Sequence, residues 1–184
     1  MLKPVFDEKK DHYSGLATAC VELVEYGDFQ CQHCGEVYPL IKLVQEEMGD
    51  SLRFVFRHYP QPVLHRLSLD ASVAAETAAL QGKFWHMHDI IFENQKYLSR
   101  SRFLQFAEEI DLDTRAYEDN REHKKMIQKV INDFESGVRS GVEGTPTFFI
   151  NGRRYNGFHD PDDLIRACKD LLHMELAATQ YSPF

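Results

Sequence analysis

The chain has 184 residues, 43% of them hydrophobic, which suffices for one well-packed domain or one domain carrying a sizeable insertion. Its formal net charge of -8 argues against nucleic acid or an anionic membrane as the main partner, because both select a basic face. Apolar runs stay well short of membrane-spanning length.

Residues Met1 to Ala19 are charged and mixed and read as a tail laid against the domain, with Ser14-Gly15 as a turn. They contain neither an apolar leader core nor a small-residue cleavage site, so the expected location is the cytoplasm. In that compartment four cysteines favour a redox or metal motif over a disulfide framework. Cys20 reads as a small half-buried residue.

Val21-Glu22-Leu23-Val24-Glu25-Tyr26 is β-branched and aromatic and stops at Gly27-Asp28, the pattern of a buried strand ending in a turn. From Val37 the period changes. Val37, Tyr38, Ile41, Val44 and Met48 recur at spacings of three and four and predict a helix that stops at Gly49-Asp50. Between strand and helix lies Cys31-Gln32-His33-Cys34. Free backbone N-H groups and the positive dipole end at a helix start favour a thiolate at Cys31, while Cys34, one turn further in, is less open and close enough to form a disulfide with it. Leu52 to Tyr59 reads as a second strand, parallel to the first because a helix joins them.

From about Val63 to Arg139 the pattern is helical throughout. Ala71, Ala74, Ala75, Ala78 and Ala79 mark one helix; Phe84, Trp85, Met87, His88, Ile91 and Phe92 the next face; Phe103, Phe106, Ala107 and Ile110 another, with Ser99 or Ser101 as its cap; and Met126, Val130, Ile131 and Phe134 a further helix running toward Gly137. Thr147 to Ile150 and Arg153 to Asn156 predict two antiparallel strands joined at Asn151-Gly152. Asp160-Pro161-Asp162-Asp163 starts a last helix carrying Leu164, Ile165, Cys168, Leu171 and Leu172 on one face, with Cys168 in the core.

The segment from Val21 to Met48 resembles the active site of the thioredoxin superfamily, and specifically that of DsbA-type thiol-disulfide oxidoreductases, which also carry His before the second Cys. Glu25 lies where that family has a buried acid, Pro39 where it kinks its first helix, and Gly144-Thr145-Pro146-Thr147 resembles its cis-proline loop. One position departs: Gln32 stands where the family usually has Pro. The resemblance implies an α/β thioredoxin fold interrupted by a helical subdomain, with 17–62 and 138–184 as the thioredoxin part and 63–137 as the insertion of a single domain over 1–184. It implies that Pro146 is cis, lies against the cysteines and leaves a backbone edge at Thr145 for an extended substrate.

The expected activity is therefore thiol-disulfide exchange with protein thiols or small thiols such as glutathione, Cys31 reacting first and Cys34 resolving. The pair itself carries the electrons, so no cofactor is expected, though an unidentified redox partner is. His33, beside the uncharged Gln32, could lower the Cys31 pKa, and a buried Glu25 could exchange protons with Cys34. Tyr26, Phe29, Tyr59, Phe148 and Trp85 could line a peptide groove, Phe29 being nearest Cys31. Alternatives are a glutathione-dependent transferase or isomerase of the same fold, and a zinc-binding or redox-gated chaperone module. A structural zinc would need a second ligand pair; there is no second CxxC, and His86 and His88 are poorly directed to supply one.

Overall fold

The structure is a computed structural model and describes residues 1–121, 123–157 and 160–180. The end of the 138–184 segment, residues 181–184, lies outside the described residues.

The centre of the molecule is β2 (Val21–Gly27), buried at every position because strands flank it on both sides. On one side β3 (Leu52–His58) runs parallel to it, and on the other β4 (Thr147–Ile150) runs antiparallel. With β1 (His12–Ser14) and β5 (Arg153–Arg154) at the edges, the sheet order is β1-β3-β2-β4-β5. Alternation along β2 divides the core between the two faces. Val21 and Leu23 join Phe54, Phe56 and Phe148 in one cluster, whereas Val24 and Tyr26 join Val55, Tyr59 and Phe149 in the other. Glu25 stands opposite Phe56 on β3 and Phe148 on β4.

The helix α1 (Gln32–Met48) follows β2 and contains Pro39, which deprives the Gly35 carbonyl of its usual donor. Between β3 and β4 run α2 (Ser68–Ala79), α3 (Phe84–Glu93), α4 (Arg100–Glu109), α5 (Thr114–Arg121) and α6 (Lys124–Ser140), and α7 (Pro161–Gln180) follows β5. Ser99 caps α4, its hydroxyl accepting from Arg102 N at 3.2 Å. At the hairpin Asn151 and Gly152 both have positive φ, 44° and 74°, as a two-residue turn of this kind requires. The thioredoxin fold with a helical insertion follows from this order of elements.

Several local expectations need correction. The N-terminal segment is more than a tail: β1 pairs antiparallel with β3, His12 opposite Phe56. Three residues are too few to display a period, and what fixes them is tertiary. Arg57, 2% exposed, donates from Nε and Nη2 to the Asp11 carboxylate at 2.8 and 2.9 Å, and from Nη1 to Pro4 O at 2.9 Å and Tyr26 Oη at 3.0 Å. The short α5 escapes sequence reading because Tyr117 is its one buried residue. β5 ends at Arg154 rather than Asn156. Ile131 faces outward at 40% exposure, and α6 runs past Gly137, where the absence of a Cβ lets the helix lie on the Tyr59 and Tyr26 rings. Cys20 is exposed rather than half-buried, whereas Cys168 lies in the core as expected. Glu22 is buried against Arg53 Nη2 at 2.7 Å.

Removing one partner of a buried ion pair leaves the other charge uncompensated. Asp11→Ala should therefore lower unfolding stability by about 3 kcal/mol in urea denaturation. A change below about 0.5 kcal/mol, the level of an exposed pair, would show that the Arg57 contact does not anchor the N-terminal segment.

Candidate active site

The β2–α1 loop, Asp28 to Cys31, delivers both sulfurs to the start of α1. Cys31 is the N-cap, with extended φ and ψ of -70° and 122°. Its N-H donates to Asp28 O at 3.1 Å and its carbonyl accepts from Gly35 N at 3.1 Å. Cys31 is 6% exposed and Cys34 fully buried; both are free thiols. The Sγ of Cys31 lies 3.3 Å from Thr145 O, and the Thr145–Pro146 peptide is cis. The loop before β4 therefore sits directly over the first sulfur.

The two thiols experience opposite environments. Cys31 is held down to about 5, first by the hydrogen bond it receives from Cys34; burial opposes this, and Thr145 and the backbone N-H groups of Cys34 and His33 add to it. Cys34 is pushed well above the ordinary thiol range, by burial first and then by Cys31 and Glu25. Glu25 is 3% exposed, its Oε1 has no hydrogen-bond partner, and burial followed by the Cys31 charge raises it to about 8. A carboxyl in that state can hold or release a proton near neutral pH.

Cys31, Cys34, Glu25, Thr145 and Pro146 are thus brought together. The side chains of Gln32 and His33 are not directed at the sulfurs. Both turn to Glu36, Gln32 Nε2 at 2.8 Å and His33 Nδ1 at 3.0 Å, and the His33 side chain is 74% exposed. What His33 supplies to Cys31 is its backbone N-H. The aromatic groove does not form from the residues expected. Phe29 is fully buried among Phe56, His58, His88 and Phe92; Tyr26, Tyr59 and Phe148 are also core residues, and Trp85 donates to Tyr13 O at 2.9 Å.

Two site residues carry no motif-level signal. Gln95, just beyond α3, donates from Nε2 to Phe29 O at 3.0 Å and Cys31 O at 2.7 Å, clamping the loop from the helical insertion. A Cβ at Gly35 would stand 2.2 Å from Gln95 Oε1, so that glycine makes room for the clamp. Asp28, fully buried, accepts from Gln30 N at 2.8 Å, Gln61 N at 2.9 Å and His65 Nδ1 at 2.8 Å. A turn reading of Gly27-Asp28 could have suggested the first contact, since Asp commonly accepts from the N-H two residues on.

Among the described residues, the group of side chains close enough to hold a metal ion is His58, Glu76 and Asp133, and it includes neither cysteine of the pair. Lys129 already supplies a cation there, its Nζ 2.7 Å from Asp133 Oδ2 and 3.8 Å from Glu76 Oε1.

A family model described as Thioredoxin matches residues 7–170. The chain is 36% identical over 167 residues to the Na(+)/H(+) antiporter NhaA 3 of Salinispora tropica, a match covering 91% of this chain and 25% of that protein. It is 38% identical over 169 residues to the Na(+)/H(+) antiporter NhaA 1 of Mycolicibacterium gilvum, covering 91% and 27%. The chain therefore spans about a quarter of the length of these curated relatives. Among solved structures it resembles the thiol-disulfide exchange protein alpha-DsbA2 of Wolbachia pipientis, with TM-score 0.80 and 23% identity over 89% of this chain and 88% of that one. It also resembles oxidised BdbD of Bacillus subtilis, with TM-score 0.80 and 21% identity over 91% and 95%. At such identities the likeness establishes a shared fold.

Alkylation reports the thiolate, so the rate of Cys31 modification in a Cys20/Cys168 double Ser variant should titrate with a midpoint near 5. His33→Ala keeps the backbone N-H and should leave that midpoint within about half a unit; a rise beyond one unit, more than an exposed side chain paired elsewhere should produce, would return the imidazole to the site.

Proposed function

The chain belongs to the thioredoxin family, and from that premise we propose that it is a DsbA-like thiol-disulfide oxidoreductase that passes its Cys31–Cys34 disulfide to protein thiols. The observation that carries this reading is the opposed state of the two sulfurs: Cys31 at about 5, Cys34 well above the ordinary range. Holding the Cys31 thiolate stabilises the dithiol form relative to the disulfide, which makes the disulfide an oxidant.

In the forward direction a substrate thiolate attacks Cys31 Sγ and the Cys31–Cys34 bond breaks. Cys34 leaves with the electron pair and takes a proton from Glu25, whose carboxyl is held protonated up to about 8. A second thiolate of the substrate then attacks the substrate sulfur of the mixed disulfide and expels Cys31. A sulfur with a pKa near 5 leaves readily. The substrate has lost two electrons and two protons, and the protein pair has gained the electrons. The Thr145 backbone beside Cys31 would pair with an extended substrate segment, a role implied by family resemblance and supported by its 3.3 Å approach to the sulfur.

A small thiol such as glutathione could react at Cys31 by the same step. A glutathione-dependent transferase or isomerase is less favoured, since a second buried thiol in contact with the first serves resolution. With the cytoplasmic placement expected from the sequence, an oxidising pair would be kept reduced by the glutathione pool, so a dedicated partner must reoxidise it. Transport is not carried over from the antiporter relatives, because the match spans only a quarter of their length.

In the reverse direction, reduced Cys34→Ser offered a disulfide-bonded peptide should accumulate a mixed disulfide at Cys31 that mass spectrometry detects, whereas the reduced unmodified protein should release reduced peptide; no trapped adduct would remove Cys31 as the sulfur that forms the mixed disulfide. With Cys34 in place, Glu25→Gln should abolish the inflection near pH 8 in the rate at which Cys34 resolves a mixed disulfide at Cys31. An unchanged inflection would assign the proton to another group.

A further inference from the structure

The mechanism above accounts for the proton of Cys34 but not for what receives the charge once the proton has left. Cys34 is fully buried, and its thiolate must form before it can attack a mixed disulfide at Cys31. Among the described residues the backbone N-H directed at Cys34 Sγ is that of Asp28, at 3.5 Å. Burial, Cys31 and Glu25 all disfavour the thiolate, and this N-H acts the other way.

The direction of that N-H is fixed by the residue's own side chain. The Asp28 carboxylate has three donors: Gln30 N on Oδ1 at 2.8 Å, and Gln61 N and His65 Nδ1 on Oδ2 at 2.9 and 2.8 Å. The first curls the β2–α1 loop back on itself, and the other two anchor it to the segment between β3 and α2. A parallel tie runs between the same segments, Leu67 N donating to Gln30 Oε1 at 2.7 Å. The carbonyl of Asp28 meanwhile accepts from Cys31 N at 3.1 Å. One residue thus presents its N-H to the Cys34 sulfur while its carbonyl ties the loop to the backbone N-H of Cys31.

We propose that Asp28 is a positioning residue for the resolving half of the reaction: its carboxylate, braced by Gln61 and His65, locks the loop so that its N-H stabilises the Cys34 thiolate as it forms. The inference rests on the oxidoreductase reading and extends it to a step that neither Glu25 nor the helix start explains. The step itself is balanced: Cys34–SH gives its proton to the Glu25 carboxylate, and the thiolate attacks Cys31 Sγ of the mixed disulfide. The substrate sulfur leaves with the electrons of the broken bond.

The two halves can be read separately with an aromatic disulfide whose halves are each coloured when released as thiolates. Attack by Cys31 releases one equivalent at a rate proportional to probe concentration; resolution by Cys34 releases the second at a rate independent of it. At high probe concentration the second phase is isolated. Loss of one hydrogen bond to a charged acceptor corresponds to about tenfold in rate. Asp28→Ala should therefore slow the second phase about tenfold and leave the first within about twofold, with Asp28→Asn, which keeps an oxygen acceptor, recovering most of the loss. His65→Ala, which removes one brace without touching the loop, should give a smaller effect on the same phase; circular dichroism and the melting temperature establish that each variant is folded. Equal slowing of both phases, or no change in the second, in folded Asp28→Ala overturns the inference. Should Asp28→Ala not fold, a second phase unchanged in both Asp28→Asn and His65→Ala overturns it. If the unmodified protein releases no second equivalent, the oxidoreductase reading itself fails, which is a different result.

Discussion

The structure depends on a difference in environment between two sulfurs three positions apart. Cys31 sits at the N-cap of α1, where backbone N-H groups converge and Cys34 donates to it. Cys34 sits one turn inside, fully buried beside a carboxyl that has no hydrogen-bond partner on Oε1. Neither environment belongs to a cysteine as such; each is created by where the chain passes from strand to helix. The central strand β2 supplies Glu25 beneath the pair, the loop supplies Asp28, and β4 begins at the residue after Pro146. The rest of the fold holds these three segments at one point.

The helical insertion takes part in this. Gln95 reaches from just beyond α3 to two carbonyls of the active-site loop, and the segment before α2 contributes Gln61 and His65 to the Asp28 carboxylate. The polar groups of the loop are therefore satisfied from both sides, as a buried irregular segment requires. A rigid loop matters here because a hydrogen bond to sulfur is useful only if its direction survives the making and breaking of the disulfide.

The legible parts of the sequence were those governed by local pattern. A buried strand, a CxxC and a helix face follow one another within Val21 to Met48, and Asn151-Gly152 marks a hairpin whose turn has the required backbone signs. What remained hidden was decided by residues far apart in the chain. β1 is three residues held by Arg57, 46 positions from Asp11, and no periodicity announces it. Gln95 is an ordinary polar residue in the sequence and becomes part of the site only because the insertion folds back on the loop. His33 shows the opposite error: adjacency in the motif suggested a side-chain role, but on a helix its exposed ring meets Glu36, three residues on, rather than the sulfurs. Phe29 likewise lies near Cys31 in sequence and turns into the core.

Stabilising the Cys31 thiolate makes the disulfide oxidising. Equilibrating the Cys20/Cys168 double Ser variant in graded thiol-disulfide buffers gives the reduction potential of the pair directly. The expected value lies above about -200 mV, toward the strongly oxidising end of the range found for such dithiols. A value near about -270 mV would mean that the dithiol is not selectively stabilised, and the direction of electron flow assigned here would have to be reversed.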